Sequence, residues 1–532
     1  MVVPRPQPRP RRHPLPLHPV WFALLPVLFL YAHNMAELHV GELLLPVLLA
    51  TAAALLVWGA LRALLRDWTR AAVLASAFWL WFCSFGHVSQ LSERLGSEAL
   101  LPLAIVYALL WPALVVLALG WRRPAPALST ALNVMALALV AFQVVRIGSF
   151  ELRRAHPPTV PPSPASTVRV TAAPAREAPN IYFLVLDGYA REDVLRDIYR
   201  YDNHDFLRSL EAQGFQVAHH ARANYCQTEL TLASSLNLDY VDPLARAMGP
   251  EATDRAPLER AIADNHTTRF LRNHGYRTVA FASGYGGTEL RAADSYRRGQ
   301  AGLSEFQSAL LETTPLLPLL RARGLVRVDA NHTRARQVLY TLDHLAEAGR
   351  SPAPVFVFAH LIVPHPPFIF RADGSLKEYV RANQFTDGVR IWGSPRLYIR
   401  GYREQVEFIS HRLPATIAAI LAQAPRPTVI LLLSDHGPGS TLDFGDLRTL
   451  NLTERFGILL AMRLPGKDVR LPDDFSPVNA CRLVLREYFG ADLPPLPSVS
   501  YASTFRHPYR LVRVTNGGAE FSWPPEGPPP SP

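Results

Sequence analysis

Six side chains in the C-terminal two thirds of the chain have the types and positions to do chemistry together. Asp435 and His436 close the run TVILLLSDHG, in which β-branched and aliphatic residues give way at once to polar ones. That is the pattern of a strand buried on both faces that delivers its last side chains to the edge of a sheet. Asp187 ends a second such run, NIYFLVLDG, in front of a glycine. His360 and His365 fall at the end of a third, FAHLIVPHPPF, where the Pro366-Pro367 pair stiffens the chain beside His365. In ANYCQTELTLASSLNLDY a polar start leads into a helical pattern, with Thr228 at the helix start and Thr231 a second candidate hydroxyl. A hydroxyl there lies near free amides and the positive end of the helix dipole, so an arriving phosphate or sulfate is already partly stabilised. Each residue alone has an ordinary use, the acids and Thr228 as turn or helix caps and the histidines as loop residues. Together they meet one need. A threonine hydroxyl is a weak nucleophile near neutral pH and requires a metal or a base, and Asp187, Asp435 and His436 have the ligand atoms to hold a cation. His365, and with it His360, is placed to meet an anionic substrate. His219 and His220 read as surface residues.

The elements that must position these groups are strands and helices in alternation. From residue 180 onward, short apolar runs (IYFLVLD, GFQVA, TRFLRNHGYRTVAF, PVFVFAHLIVPH, TVILLLSD, FGILLAMRLPG) alternate with amphipathic stretches. This predicts an α/β domain over residues 180–510, a mostly parallel β-sheet covered by helices on both faces. Its site is expected at the carboxyl ends of the strands, where the six residues fall.

The first third of the chain is of another kind. Residues 1–16 hold Arg5, Arg9, Arg11 and Arg12 among prolines, a basic tail that does not form a helix. Five apolar spans follow at about 17–33, 41–61, 71–91, 99–120 and 127–145, each near the ~20 residues needed to cross hydrocarbon. They predict an α-helical transmembrane region over 17–147. Arg62, Arg66 and Arg70 lie between the second and third spans and Arg122 and Arg123 between the fourth and fifth, whereas the other two loops hold a single Arg between them. Short cytoplasmic loops collect Lys and Arg, so the N-terminus is expected in the cytoplasm and the catalytic domain outside the cytoplasmic membrane. Residues 148–179 form a Pro-, Ala- and Ser-rich linker, and 511–532 a C-terminal tail rich in Gly and Pro toward its end. The net charge of +10 among 532 residues comes largely from Arg without interleaved aromatic residues, which excludes a nucleic-acid surface. Three cysteines, Cys83, Cys226 and Cys481, imply neither a disulfide framework nor a thiolate metal cluster.

The segments NIYFLVLDGYAR, NYCQTELTLASSLN, NHGYRTVAFASGY, AHLIVPHPPF, LLLSDHGPG, ERFGILLAMRLPG and SPVNACRLVLREYFG occur in an order that resembles the sulfatase-like branch of the alkaline phosphatase superfamily. With the five-span anchor, the chain further resembles lipoteichoic acid synthases and lipid A phosphoethanolamine transferases. The resemblance implies an alkaline-phosphatase-like fold and one divalent metal ion, zinc or manganese, held by Asp187, Thr228, Asp435 and His436. It further implies a covalent phospho-threonine on Thr228, with His365 steadying the incoming anion, and a membrane lipid or envelope glycan as substrate. Sulfatases of this branch mature a cysteine or serine within a Cys-x-Pro-Ser-Arg-like signature, whereas this chain has Cys226-Gln227-Thr228-Glu229-Leu230. Phospho-ester chemistry is therefore expected over sulfate-ester hydrolysis. Two other readings stand beside it, a sulfuric-ester or phosphonate-type hydrolase of a soluble substrate and a catalytically idle envelope assembly protein.

Overall fold

The computed structural model describes residues 15–35, 38, 40–95, 97–120, 126–155, 178–299, 304–323, 330–377, 387–388, 393–443 and 445–514. Most of the expected N-terminal tail, Pro-rich linker and C-terminal tail thus lies outside the described residues. Contacts divide the chain into two units, one of residues 1–155 with 303–327 and one of 156–302 with 328–532.

In the first unit, helices form over all five expected spans: α1 (His18–Asn34), α2 (Leu44–Leu65), α3 (Trp68–Cys83) continued by α4 (Phe85–Leu95), α5 (Ser97–Gly120) and α6 (Pro126–Ala155). Among the described residues, three apolar stretches are long enough to cross a membrane, Val40–Leu65, Trp68–Ser89 and Pro126–Ala155. Over the first expected span, α1 has 17 residues between polar ends and contains Pro26. Buried His18 is held between Ser76 and Ser129 at 2.6 and 3.0 Å, which joins the start of α1 to α3 and α6. Outward-facing Leu48, Leu56, Val116, Val134 and Phe142 are exposed, as lipid-facing residues are. Helix α6 continues past the expected span end, because ELRRA favours helix and the first proline arrives only at Pro157.

The second unit is built on a seven-stranded sheet. Its strands are β1 (Asn180–Leu186), β2 (Gln216–Val217), β3 (Arg277–Phe281), β4 (Ser295–Arg297), β5 (Val355–Leu361), β6 (Thr428–Leu433) and β7 (Leu460–Arg463) in the order β2-β7-β6-β1-β5-β3-β4. Pairs among β6, β1, β5, β3 and β4 are parallel, and β7 is antiparallel to both neighbours. Every residue of β1, β5 and β6 is buried, which is why their sequences are apolar apart from Asn180, His360 and Thr428. Alternate residues feed two cores. Ile181, Phe183 and Val185 with Phe356, Phe358, Val429 and Leu431 face the helices Thr228–Leu236 and Val478–Phe489. Tyr182, Leu184 and Leu186 with Val355, Val357, Ile430 and Leu432 face the helices Ala330–Ala348 and Pro395–Gln423. The latter helix inserts Tyr402, Val406, Ile409, Leu413, Ile417 and Ile420, a stripe at helical spacing. The register aligns Val185 with both His360 and Leu433, so three adjacent parallel strands end together.

Candidate active site

Residues just beyond the ends of the central strands turn their side chains into one place. Asp187 follows β1, and Gly188 takes φ +73°, a left-handed conformation that L side chains rarely adopt. That turn aims the Gly188 N–H at Asp435 Oδ1, 3.2 Å away beyond β6. The next amide, Tyr189 N–H, donates to Ser434 Oγ at 2.8 Å, and Tyr402 OH donates to Gly188 O at 2.8 Å. The ends of β1 and β6 are thereby laced together.

Four groups converge on His436 Nε2. Thr228 Oγ1, in the first turn of the helix Thr228–Leu236, is 3.2 Å away, Asp435 Oδ2 3.4 Å and Asp187 Oδ1 3.6 Å. The fourth is His365, whose ring centroid lies 5.9 Å from that of His436. His436 Nδ1–H donates to Gly437 O at 3.0 Å and leaves Nε2 as the lone-pair nitrogen. His365 repeats the device, with Nδ1 2.6 Å from Pro366 O. His360 Nδ1 is paired with Thr288 Oγ1 at 2.9 Å, and its Nε2 lies 3.2 Å from Asp187 Oδ2, out of hydrogen-bond alignment.

Two triads of ligand atoms result, Asp187, His365 and His436, and Asp187, His360 and Asp435, each with its atoms within 4.8 Å of one another. Asp187 Oδ1, Asp435 Oδ2 and His360 Nε2 are buried with no hydrogen-bond partner. Unpaired carboxylate oxygens in a dry site are costly, and a divalent cation supplies the missing partner, so the donor set fits a metal. A mixed oxygen and nitrogen set suits zinc or manganese. Burial raises the Asp187 pKa, but His365 first, then His360 and His436, outweigh it and hold the carboxyl below its ordinary range. Burial, then the Arg455 charge, lowers His436 and keeps it neutral, as a ligand must be.

The sequence-predicted residues Asp187, Thr228, His360, His365, Asp435 and His436 are therefore brought together. His360, expected to face substrate, stands in a triad with Asp187 and Asp435. Thr231 is not part of the cluster; its hydroxyl turns back to Tyr225 O at 3.4 Å. His219 pairs with Glu192 at 2.9 Å, partly exposed. Cys226 is buried with Sγ between Ser503 O and Ser503 N, and burial raises its thiol pKa. The three cysteines are free.

Several supporting residues escaped the sequence reading. Buried Arg455 donates to Cys226 O and Gly437 O, both at 2.9 Å, and pairs with buried Asp387. It ties the backbone before Thr228 to the backbone after His436. Gln405 donates to Pro364 O and His365 O at 3.1 Å and accepts from Ile369 N and Phe370 N at 2.7 and 3.1 Å, which fixes the His365 loop. Glu229, beside Thr228, is paired with Arg255 at 2.9 Å and accepts from Tyr285 OH. The only available signal was a charged residue next to an apolar run, ER before FGILLA for Arg455.

A threonine hydroxyl at a helix start, beside two carboxylates and three imidazoles at the carboxyl edge of a mostly parallel sheet, defines a candidate metal-dependent group-transfer site. No family model and no curated protein matches the chain. Among solved structures, the chain is similar to the C-terminal periplasmic domain of EptC from Escherichia coli in complex with Zn, at 10% identity and TM-score 0.41, over 67% of this chain and 96% of that one. It is similar to the integral membrane lipooligosaccharide phosphoethanolamine transferase A of Neisseria meningitidis at 12% identity and TM-score 0.40, over 89% and 95%. A putative sulfatase from Bacteroides thetaiotaomicron matches at 13% identity and TM-score 0.37, over 62% and 74%.

Proposed function

We propose that the chain is a membrane-anchored, metal-dependent phosphotransferase or phosphodiesterase that acts on phospholipid head groups or envelope glycans outside the cytoplasmic membrane, with Thr228 as nucleophile. One observation carries this reading: Thr228 Oγ1 lies 3.2 Å from His436 Nε2, beside buried carboxylate oxygens that have no protein partner. One zinc or manganese ion would be held by Asp187, Thr228, Asp435 and His436. When bound, such an ion supplies positive charge that eases loss of the hydroxyl proton and offsets charge on the transferring group.

The chain's own residues do the rest. The first-turn amides of Thr228–Leu236 favour an anion at Thr228, and Arg255 neutralises Glu229 so that its carboxylate does not repel the substrate. Thr228 Oγ forms a bond to phosphorus as the leaving-group oxygen departs with its bonding electrons and takes up a proton. An acceptor hydroxyl or water then attacks the phosphorus and releases Thr228 with its proton restored. His365, its Nδ1 committed to Pro366 O, has Nε2 free to donate to a phosphoryl oxygen when protonated. The buried, hydrogen-bonded Cys226 supports a threonine over a matured cysteine, and hence phospho-ester over sulfate-ester chemistry.

The test is turnover of a chromogenic phosphodiester and of a phospholipid by the purified full chain with and without added metal. Thr228→Ala is expected to abolish it and Asp435→Ala to lose the copurified metal. Undiminished turnover by Thr228→Ala, or sulfate release from an aryl sulfate in preference to phosphodiester cleavage, overturns the assignment.

A further inference from the structure

Residues 303–327 leave the second unit after β4 and pack in the first. Their helix Glu305–Glu312 opens with a capping box between Ser304 and Gln307. Phe306, 3% exposed, lies edge-on to Tyr31 with ring centroids 6.1 Å apart, in a cluster with Val27, Leu28, Val140 and Ile147. Beyond the helix, Thr313 O accepts from Gly86 N at 3.1 Å, an approach so close that a Cβ on Gly86 would meet Thr313 Cα at 3.0 Å. These contacts involve the last turns of α1, the start of α4 and the later part of α6. They lie at the end of the helices opposite the one where His18, next to the Arg-rich N-terminal segment, is held by Ser76 and Ser129.

The next helix, Leu316–Ala322, buries Leu317 but leaves Leu316 and Leu319 37% and 56% exposed. Its sequence, LLPLLRA, and the Arg323 that follows set four leucines against Arg321 and Arg323 with no acid among them. Leucines that face outward beside arginines suit the boundary between acyl chains and anionic head groups, where the apolar side chains leave water and the cations are drawn to the negative surface.

We propose that residues 304–323 form an interfacial segment that docks into the head-group layer of the outer leaflet and engages anionic phospholipid. This rests on the membrane-anchored reading above. The test uses the full chain in vesicles of zwitterionic lipid with and without anionic phospholipid, with a bimane label at Leu319→Cys in a Cys83→Ser background. Cys226 and Cys481 are buried and resist labelling. A second preparation carries the label at Leu137→Cys, an outward position of α6. Acyl-brominated lipid is expected to quench the two labels to within about twofold of each other, with little quenching of Leu319→Cys by aqueous iodide. Quenching of Leu319→Cys by iodide, or by neither agent, overturns the interfacial segment, the latter result marking a protein partner or a second copy as its cover. Equal quenching in neutral and anionic bilayers overturns the preference for anionic lipid. Failure of brominated lipid to quench Leu137→Cys overturns the membrane anchor itself.

Discussion

Replacing Arg455 by methionine tests how the two halves of the site are held in register. Arg455 and Asp387 have side chains 1% and 2% exposed, so the substitution leaves a carboxylate in a dry interior. Asp387 keeps Tyr398 OH at 2.6 Å and Gly388 N at 2.8 Å, but among the described residues it loses its ion-pair partner. The carbonyls of Cys226 and Gly437 each lose a charged donor. Removing one partner of a buried pair costs about 3–5 kcal/mol, or roughly two to three and a half decades in the equilibrium for local opening. Hydrogen exchange of the detergent-purified protein reads this directly, in peptides spanning 223–236 and 428–463. Arg455→Met is expected to speed their exchange by that factor, and Asp387→Leu to act in the same direction. The double variant, which leaves neither charge unpaired, is expected to cost about 0.5–3 kcal/mol less than the sum. A change below about tenfold in Arg455→Met, or strict additivity in the double variant, refutes the argument that this pair clamps the site.

Three further outcomes are expected. Burial raises the Asp387 pKa, but Arg455, then His365 and the Tyr398 hydrogen bond, lower it more, so its folded value lies below the ordinary 3.8. A depressed carboxylate contributes stability above the unfolded value and loses it as pH falls through the folded value; urea midpoints taken from neutral pH down to about pH 3 should therefore fall more steeply in the wild type than in Asp387→Asn. Gly437→Ala places a Cβ 1.9 Å from Glu454 O, which forces the backbone after His436 to move at a cost of about 1–3 kcal/mol, measurable as a lower midpoint and lower kcat. Gln405→Leu leaves up to four backbone groups of the His365 loop unpaired, and a rise in KM with copurified metal unchanged is expected, at about 1–3 kcal/mol in kcat/KM.

The legible part of the site was the part that strand ends announce. Asp187, Asp435 and His436 each follow an apolar run, and Thr228 opens a helical pattern, so position relative to an element revealed them. The supporting shell has no such marker. Arg455 sits in a five-residue helix whose charge is satisfied by residues far apart in the chain, Cys226, Asp387 and Gly437, and no local periodicity encodes those pairings. His360 lies inside β5 rather than after it, and only the strand register brings its Nε2 to Asp187. Residues 303–327 fall within the α/β domain expected over 180–510 but group with the first unit, because a hydrophobic stripe states that a helix has a partner without stating which one.

The most direct test of the central claim is a quenched reaction. The full chain is mixed with a phosphodiester substrate, denatured in acid within the first turnover, digested and read by peptide mass. A phosphoryl adduct is expected on Thr228, absent from Thr228→Ala and from enzyme stripped of metal. An adduct on Thr231 or Cys226, or full turnover by Thr228→Ala with no adduct in any peptide, would contradict it.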